Sequence, residues 1–324
     1  MTQSQESFPR AVACLTGFVS LLAFVPAALA AQAPPPPLDQ LVTRLASISA
    51  VSGYERALTD TLLRLLPGGR RDRAGNVVLT LGRGEPKTLI ACPLDEPGYV
   101  VGGIRDDGYL TLRRAGPSPG PLADQQVEGQ RVTIFGRKGP VPGVIGVQST
   151  HLGRGRALSD APFSFDEAFV DVGAETAAQV AGIGIELLSV VTRAKAPHRY
   201  GDSLLATPVA GRRAACAALL RASQQAQPPR GSVVIAFVVE QSFTRRGLLT
   251  VARTLGPFTD AVLLDATSET TSAARAPSPD PKQLANFEVW GLPVRYAGTP
   301  VETVSLAAVA RMERGLVVRI GGGE

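Results

Sequence analysis

The sequence predicts an α/β chain with a β-rich domain inserted between its two halves. Residues 38–65, and everything beyond Pro208, mix helix-spaced apolar residues with short apolar strands. Between residues 127 and 191 the texture changes to brief β-type runs broken by Gly and Pro. A 324-residue chain with 44% hydrophobic and 19% charged residues is long and apolar enough to bury such a two-part core.

The first half opens with apolar residues at helical spacing: Leu41, Leu45 and Ile48, then Leu58, Leu62 and Leu65, interrupted by a Ser52-Gly53 turn. Residues 77–81 read as a strand after the Gly75-Asn76 turn. Residues 88–92 read as a largely apolar strand suited to the middle of a covered sheet. Residues 99–104 and 109–112 flank Asp106-Asp107-Gly108 as a hairpin. The insert contributes strands at 132–135, 143–147 and 168–172 and a helix at 175–180. Helices at 214–223 and 247–255 then alternate with strands at 233–239 and 260–265. Residues 267–281 form a Pro-rich loop, 294–296 a short strand, and 304–313 the last helix, leading into 316–320. The expected division is an α/β body from 38–112 and 206–324 around an insert at 113–205.

At the N-terminus, Arg10 precedes an apolar stretch from 11 to 30 that closes on the small-x-small motif Ala28-Leu29-Ala30. This is the pattern of a secretory signal peptide over 1–30, followed by a stiff Pro-rich linker over 31–37. The expectation is a secreted or periplasmic protein with no stable membrane span after cleavage. Cys14 would leave with the signal. Cys92 and Cys216 remain and are expected as two buried free thiols, although an oxidising compartment could pair them.

Collagen, coiled-coil and multi-span membrane architectures are excluded by composition. The net charge of +5 comes from scattered Arg among acids, which reads as solvated surface, and one Trp and five Tyr give no stacking platform for nucleic acid. Glycine clusters at 102–103, 139–146 and 321–323 do not join a strand to a helix N-terminus and cradle no phosphate. His151 and His198 are the only histidines, both expected in exposed loops of the insert, and no Ser-His-Asp set is arguable.

Several phrases in consistent order, from about residue 38 to 320, resemble the M42 aminopeptidases. They are Ser52-Gly53-Tyr54-Glu55, Asp72 to Asn76, Leu94-Asp95-Glu96-Pro97-Gly98, Phe169 to Ala174 with Gly182-Ile183, Val262 to Asp265, and Gly291 to Tyr296 with Thr299 to Thr303. The resemblance implies a phosphorylase/hydrolase-like three-layer domain carrying a small β-barrel-like insert. It also implies hydrolysis by two zinc or cobalt ions that share a carboxylate and a water, with a Glu as the base.

Transferred residue by residue, the pattern departs from the family. Pro93 stands where the first His belongs, Gly211 where the bridging Asp belongs, and Gly298 where the last His belongs. Gln241 takes the base position and Ser242 the neighbouring ligand position; a register shift of one would leave Glu240 as a survivor. Asp265 is a vestigial metal ligand, and Asp95, which in the family orients the missing His, is vestigial too. Arg212 and Arg213 are cations beside the metal positions; their charge could partly fill the electrostatic vacancy there, but the preferred reading is that they face solvent. Only residues 266–295 separate Asp265 from Tyr296, a deletion relative to the family that puts one sheet edge, the S1 pocket and the large oligomer in question. The resulting expectation is a pseudoenzyme: an exported M42 aminopeptidase homologue that needs no cofactor and acts as a binding or scaffolding protein. Its partner would be a peptide or envelope protein, with a homo-oligomer allowed. Two alternatives are an active peptide hydrolase with a rebuilt metal site, and a periplasmic peptide- or envelope-binding module built on the insert.

Overall fold

Residue alternation in a single strand accounts for the layering. In the strand Ser232–Val238, Val233, Ile235 and Phe237 enter one apolar core while Val234, Ala236 and Val238 enter another. A strand with both faces buried needs helices above and below it, so its sequence reads as a continuous apolar run. The computed structural model, which describes residues 2, 36–116, 125–146, 163, 165–268 and 273–322, has this arrangement. The expected signal peptide at 1–30, apart from residue 2, and most of the linker at 31–37 lie outside the described residues, as does His151.

In chain order the first half runs α1 (Leu38–Ala46), α2 (Arg56–Leu65), β1 (Arg70–Arg71), β2 (Val77–Gly82) and β3 (Lys87–Pro93). The insert follows as β4 (Gly98–Ile104), β5 (Leu110–Ala115), β6 (Arg131–Gly136), β7 (Gly139–Ile145), β8 (Phe169–Asp171), α3 (Ala177–Gly182) and β9 (Val190–Arg193). The second half adds β10 (His198–Tyr200), β11 (Leu204–Ala206), α4 (Ala210–Gln225), β12 (Ser232–Val238), α5 (Gln241–Thr244), α6 (Arg246–Leu255) and β13 (Phe258–Thr267). It ends with β14 (Ala273–Arg275), β15 (Leu284–Arg295), β16 (Thr303–Ser305) and α7 (Leu306–Ile320). The described residues from 36 to 322 form one compact unit.

The body is a ten-stranded mixed sheet in the order β1-β2-β12-β3-β13-β15-β16-β11-β10, with β14 paired to β15. β12, β3, β13 and β15 run parallel at its centre. Helices α1, α2, α4 and α7 cover one face, and α6 covers the other. Helix α4 is Ala-rich and buried almost all round, lying between the sheet and its neighbours α1 and α7. The insert is a closed barrel, β4-β5-β8-β7-β6-β9, filled by its own core of Val101, Leu110, Ile134, Ile145, Val170 and Val191. Among the described residues no helix is long and apolar enough to cross a membrane.

Several expectations need correction. The barrel takes β4 and β5 from residues 98–115, ahead of the boundary expected at 113, because the 98–115 hairpin pairs with β8 and β9 and not with the body. β15 is a twelve-residue strand where only 294–296 was expected; its Asn, Glu and Gly hide a β run that central pairing stabilises. β14 and β15 also supply sheet where the deletion left an edge in question. Helix α7 continues unbroken to Ile320. His198 is exposed, as expected, but lies on β10 at the edge of the body sheet, outside the barrel, its ring stacked on Tyr200. Cys92 and Cys216 are buried, as expected, but are not free: they form a disulfide with Cα atoms 5.5 Å apart.

Candidate functional site

The C-terminal ends of the parallel strands converge on one side chain. Arg212, in the first turn of α4, reaches Asp265 near the end of β13 through Nε at 2.9 Å. Its Nη1 donates to the Asp95 backbone carbonyl at 3.1 Å and to Ser242 Oγ at 2.8 Å, and lies 3.3 Å from Asp95 Oδ1. Asp95, fully buried just past β3, also accepts from Ser52 Oγ at 2.7 Å and the Ser242 amide at 2.8 Å. Asp265 Oδ1 is further fixed by the Ala266 amide at 2.8 Å. Burial disfavours the Arg212 charge, yet Asp265 and Asp95 outweigh it and raise the guanidinium pKa above its ordinary value. The reading of Arg212 as solvent-facing is therefore overturned.

Arg213, the next residue, turns the other way and is wholly buried. Its Nη2 donates to Glu96 at 3.0 Å, and Lys195 Nζ donates to the same carboxylate oxygen. Burial opposes ionisation of Glu96, but Lys195 and Arg213 hold its pKa below the usual carboxylate range. Lys195 is itself depressed by burial, an effect its bond to Glu96 offsets only in part. Across the two adjacent clusters, Arg212, Arg213 and Lys195 balance Asp95, Glu96 and Asp265. Such balance is what makes buried charge tolerable.

Two cations in the first turn of α4 oppose the helix dipole, and that turn carries no acid of its own. Glu302 compensates from outside the helix: its Oε1 accepts the Gly211 amide at 2.9 Å and its Oε2 the Gly298 amide at 2.8 Å. Gly211 and Gly298 therefore both sit beside the centre. A Cβ on Gly211 would come within 2.6 Å of Ala266 Cβ and 2.7 Å of Val294 Cγ1. The direction in which a bridging carboxylate would project is filled by β13 and β15. Replacing Gly211 with Ala is expected to cost about 1–3 kcal/mol of stability by overpacking, measurable as a lower urea midpoint.

Gln241 opens α5, and its buried Oε1 has no hydrogen-bond partner among the described residues. Glu240 precedes it at φ 50°, its carboxylate paired to Arg246 and its amide donated to the Glu55 carboxylate at 2.9 Å. Glu55 is buried, and desolvation raises its pKa above the ordinary 4.5. A raised carboxyl binds its proton more tightly in the folded state, so its stabilising contribution is full in acid and is lost as pH rises through the raised value. Glu55→Gln, which cannot ionise, should therefore gain stability relative to the native chain from acid to neutral pH. Urea midpoints across that range check this, and a pH-independent difference would refute it.

Sequence reasoning placed Asp95, Asp265, Gln241 and Ser242 around one centre; in the structure Arg212 contacts Asp95, Asp265 and Ser242, while Gln241 is the chain neighbour of Ser242 at the start of α5. It missed the Lys195–Glu96–Arg213 cluster and the cap from Glu302. The only sequence signal for them was the unexplained doublet Arg212-Arg213 facing the doublet Asp95-Glu96.

The chain as a whole is similar to known proteins. The family model of the M42 glutamyl aminopeptidases matches residues 75–276. The chain belongs to that family. SgcX of Escherichia coli (strain K12) is 32% identical over 218 residues, covering 64% of this chain and 57% of SgcX. The lysyl aminopeptidase of Pyrococcus furiosus is 26% identical over 223 residues, covering 67% of this chain and 63% of that enzyme. The chain thus spans roughly three fifths of the length of the curated relatives it matches, 57% and 63% in these two. Among solved structures, the aminopeptidase APDkam598 of the archaeon Desulfurococcus kamchatkensis superposes with a TM-score of 0.77 at 20% identity, covering 88% of this chain and 94% of that one. The Pyrococcus horikoshii TET1 peptidase, described as assembling into a tetrahedron or a large octahedral shell, gives 0.78 at 20% identity, covering 88% and 99%. At that identity the superpositions establish the M42-type three-layer fold with its barrel.

Membership of the M42 family corrects one expectation. The family consists of metal-dependent aminopeptidases, so the reading of this chain as needing no cofactor does not stand. The centre described here nevertheless does not fit a pair of divalent ions in this conformation. A guanidinium lies between the two carboxylates, and among the described residues no group of three or more His, Cys, Asp or Glu is placed to hold a metal ion.

Proposed function

We propose that this M42-family protein binds peptides at the strand-end centre without hydrolysing them. The observation that carries the reading is the guanidinium of Arg212, hydrogen-bonded to Asp95, Asp265 and Ser242, in the space where the family's chemistry takes place. A cation fixed by two carboxylates polarises no peptide carbonyl and generates no hydroxide. Three features favour retained binding. Left-handed backbone at non-glycine residues costs of order 1–3 kcal/mol each and concentrates at functional sites. Here Val209 (φ 55°), Glu240 (50°), Arg245 (54°) and Tyr296 (54°) lie on the segments that frame Arg212. Gln241 also keeps a buried acceptor unmet among the described residues, ready for a ligand N–H. Phe243 and Tyr296 stand exposed on two of these segments, and Tyr54 on the turn that carries Ser52; all three offer apolar surface to side chains.

Export is part of the proposal, supported by the apolar stretch at 11–30 with its small-x-small motif and by the Cys92–Cys216 disulfide. A homo-oligomer is included because the solved neighbours include assemblies described as dodecameric or tetrahedral.

The test pairs two assays on the purified chain. Amino-acid anilides are offered with added zinc or cobalt, and a short-peptide library is screened by calorimetry. Saturable peptide binding without anilide turnover is expected. Family membership favours a second reading, an active hydrolase with a rebuilt site, and metal-stimulated turnover would establish it in place of the first.

A further inference from the structure

Helix α4 and the loop after β15 meet at one buried carboxylate. Glu302 accepts the Gly211 amide, in the first turn of α4, on Oε1 at 2.9 Å, and the Gly298 amide on Oε2 at 2.8 Å. Its own backbone is fixed as well: its N–H donates to the Thr299 carbonyl at 3.2 Å, and its carbonyl accepts from the Thr207 amide at 3.0 Å. Glu302 is 4% exposed, so water hardly competes for either amide. Gly211 is the chain neighbour of Arg212, so the carboxylate ties the loop to the segment that carries the guanidinium of the centre.

The loop holds a strained, exposed aromatic residue. Tyr296 has φ 54° and is 60% exposed. A non-glycine residue stays in the left-handed region only where its surroundings over-determine it. Here the Tyr296 carbonyl accepts from Thr299 twice, from N–H at 3.1 Å and from Oγ1 at 2.7 Å, which closes a turn over 296–299. That turn contains Gly298, at φ 73°, whose amide is the one Glu302 holds. Arg193 of β9 reaches the Gly298 carbonyl at 3.5 Å, so the loop also borders the barrel. Backbone angles set where a side chain leaves the chain and which rotamers it can adopt, so fixing the turn fixes the base of the Tyr296 ring.

We propose that Glu302 is a positioning residue: by holding Gly298 to the start of α4 it keeps Tyr296 where the ring meets an aromatic or large aliphatic side chain of a bound peptide. A tyrosine ring offers such a side chain a large apolar contact area with few rotors to freeze. The role rests on the reading of the strand-end centre as a peptide site.

Calorimetry on the full chain, with tetrapeptides carrying one Phe, Tyr or Leu among glycines, tests it. Tyr296→Ala should weaken binding by about tenfold. Glu302→Ala, which releases both amides, should weaken it by about three- to tenfold alone and add nothing in the Tyr296→Ala background, because it acts through the ring. Exchange at the Gly298 amide should rise by about tenfold or more in Glu302→Ala, while the Val239 amide, donated to Asn76 in the core, stays protected. If Glu302→Ala does not fold, Thr299→Val, which removes the hydroxyl contact to the Tyr296 carbonyl, is read by the same cycle. Equal weakening with and without the Tyr296 ring would overturn the proposal, since the carboxylate would then act on stability alone. Unchanged Gly298 exchange would overturn it too. Peptide binding that ignores Tyr296→Ala and Glu302→Ala removes the positioning role alone, whereas no binding of any peptide by the unaltered chain removes the proposed function and this role with it.

Discussion

Arg212→Met should destabilise the folded chain by about 2–4 kcal/mol, near the lower part of the range for breaking a buried ion pair. The variant keeps the length and most of the apolar stem of the side chain, so packing changes little. What it removes is the single positive charge held between Asp95 and Asp265. Asp95 has no exposed surface, and its remaining donors, Ser52 and the Ser242 amide, are neutral. Asp265 is 29% exposed and can be partly rehydrated, which moderates the cost. The six-charge balance would fall to two cations against three carboxylates. A double-mutant cycle with Asp265→Asn isolates the electrostatic part and should show coupling of about 1–3 kcal/mol. Equal urea midpoints for native chain and Arg212→Met would show that the guanidinium is not held as described, and the functional proposal would lose its main support.

The fold was legible where residue pattern and environment agree. Strands β3, β12 and β13 are apolar on both faces because both faces are covered, so a simple apolar run revealed them. Strand β15 was largely hidden because Asn286, Glu288 and Gly291 interrupt its pattern, and its pairing with β13, β14 and β16 makes it a strand. The barrel hairpin at 98–115 was recognised as a hairpin but given to the body, since nothing local says which sheet a strand will join. The site was legible as a list of substitutions and opaque as an object. Gly211 and Gly298 read as missing ligands; the structure makes them the two amides held by Glu302, with Gly211 pressed against Ala266 and Val294. Arg212 and Arg213 read as surface because arginines usually are. Their burial depends on Asp95, Glu96 and Lys195, which are distant in sequence and meet only through the two barrel crossings.

Reduction of the Cys92–Cys216 bond should lower the stability of the chain by about 3–4 kcal/mol, comparable to loss of Arg212. The two cysteines are 124 residues apart in sequence. The loop they close contains the whole barrel together with β10 and β11, so the cross-link removes much of the unfolded chain's freedom. In the folded state it fastens the end of β3 to α4, the two elements that present Asp95 and Arg212. Both sulfurs are in the core, with the cysteines 0% and 1% exposed, so a reductant acts only after unfolding and the native protein should resist mild thiols. Urea titrations started from unfolded chain, with and without a phosphine reductant, measure the difference. Cys92→Ala with Cys216→Ala should reproduce the reduced midpoint, less a small further loss for the space the sulfurs vacate. Coincident midpoints under oxidising and reducing conditions would mean the bond does not form in solution. The join between β3 and α4 would then rest on their apolar packing and on the ion pairs of Arg212 and Arg213 just beyond β3.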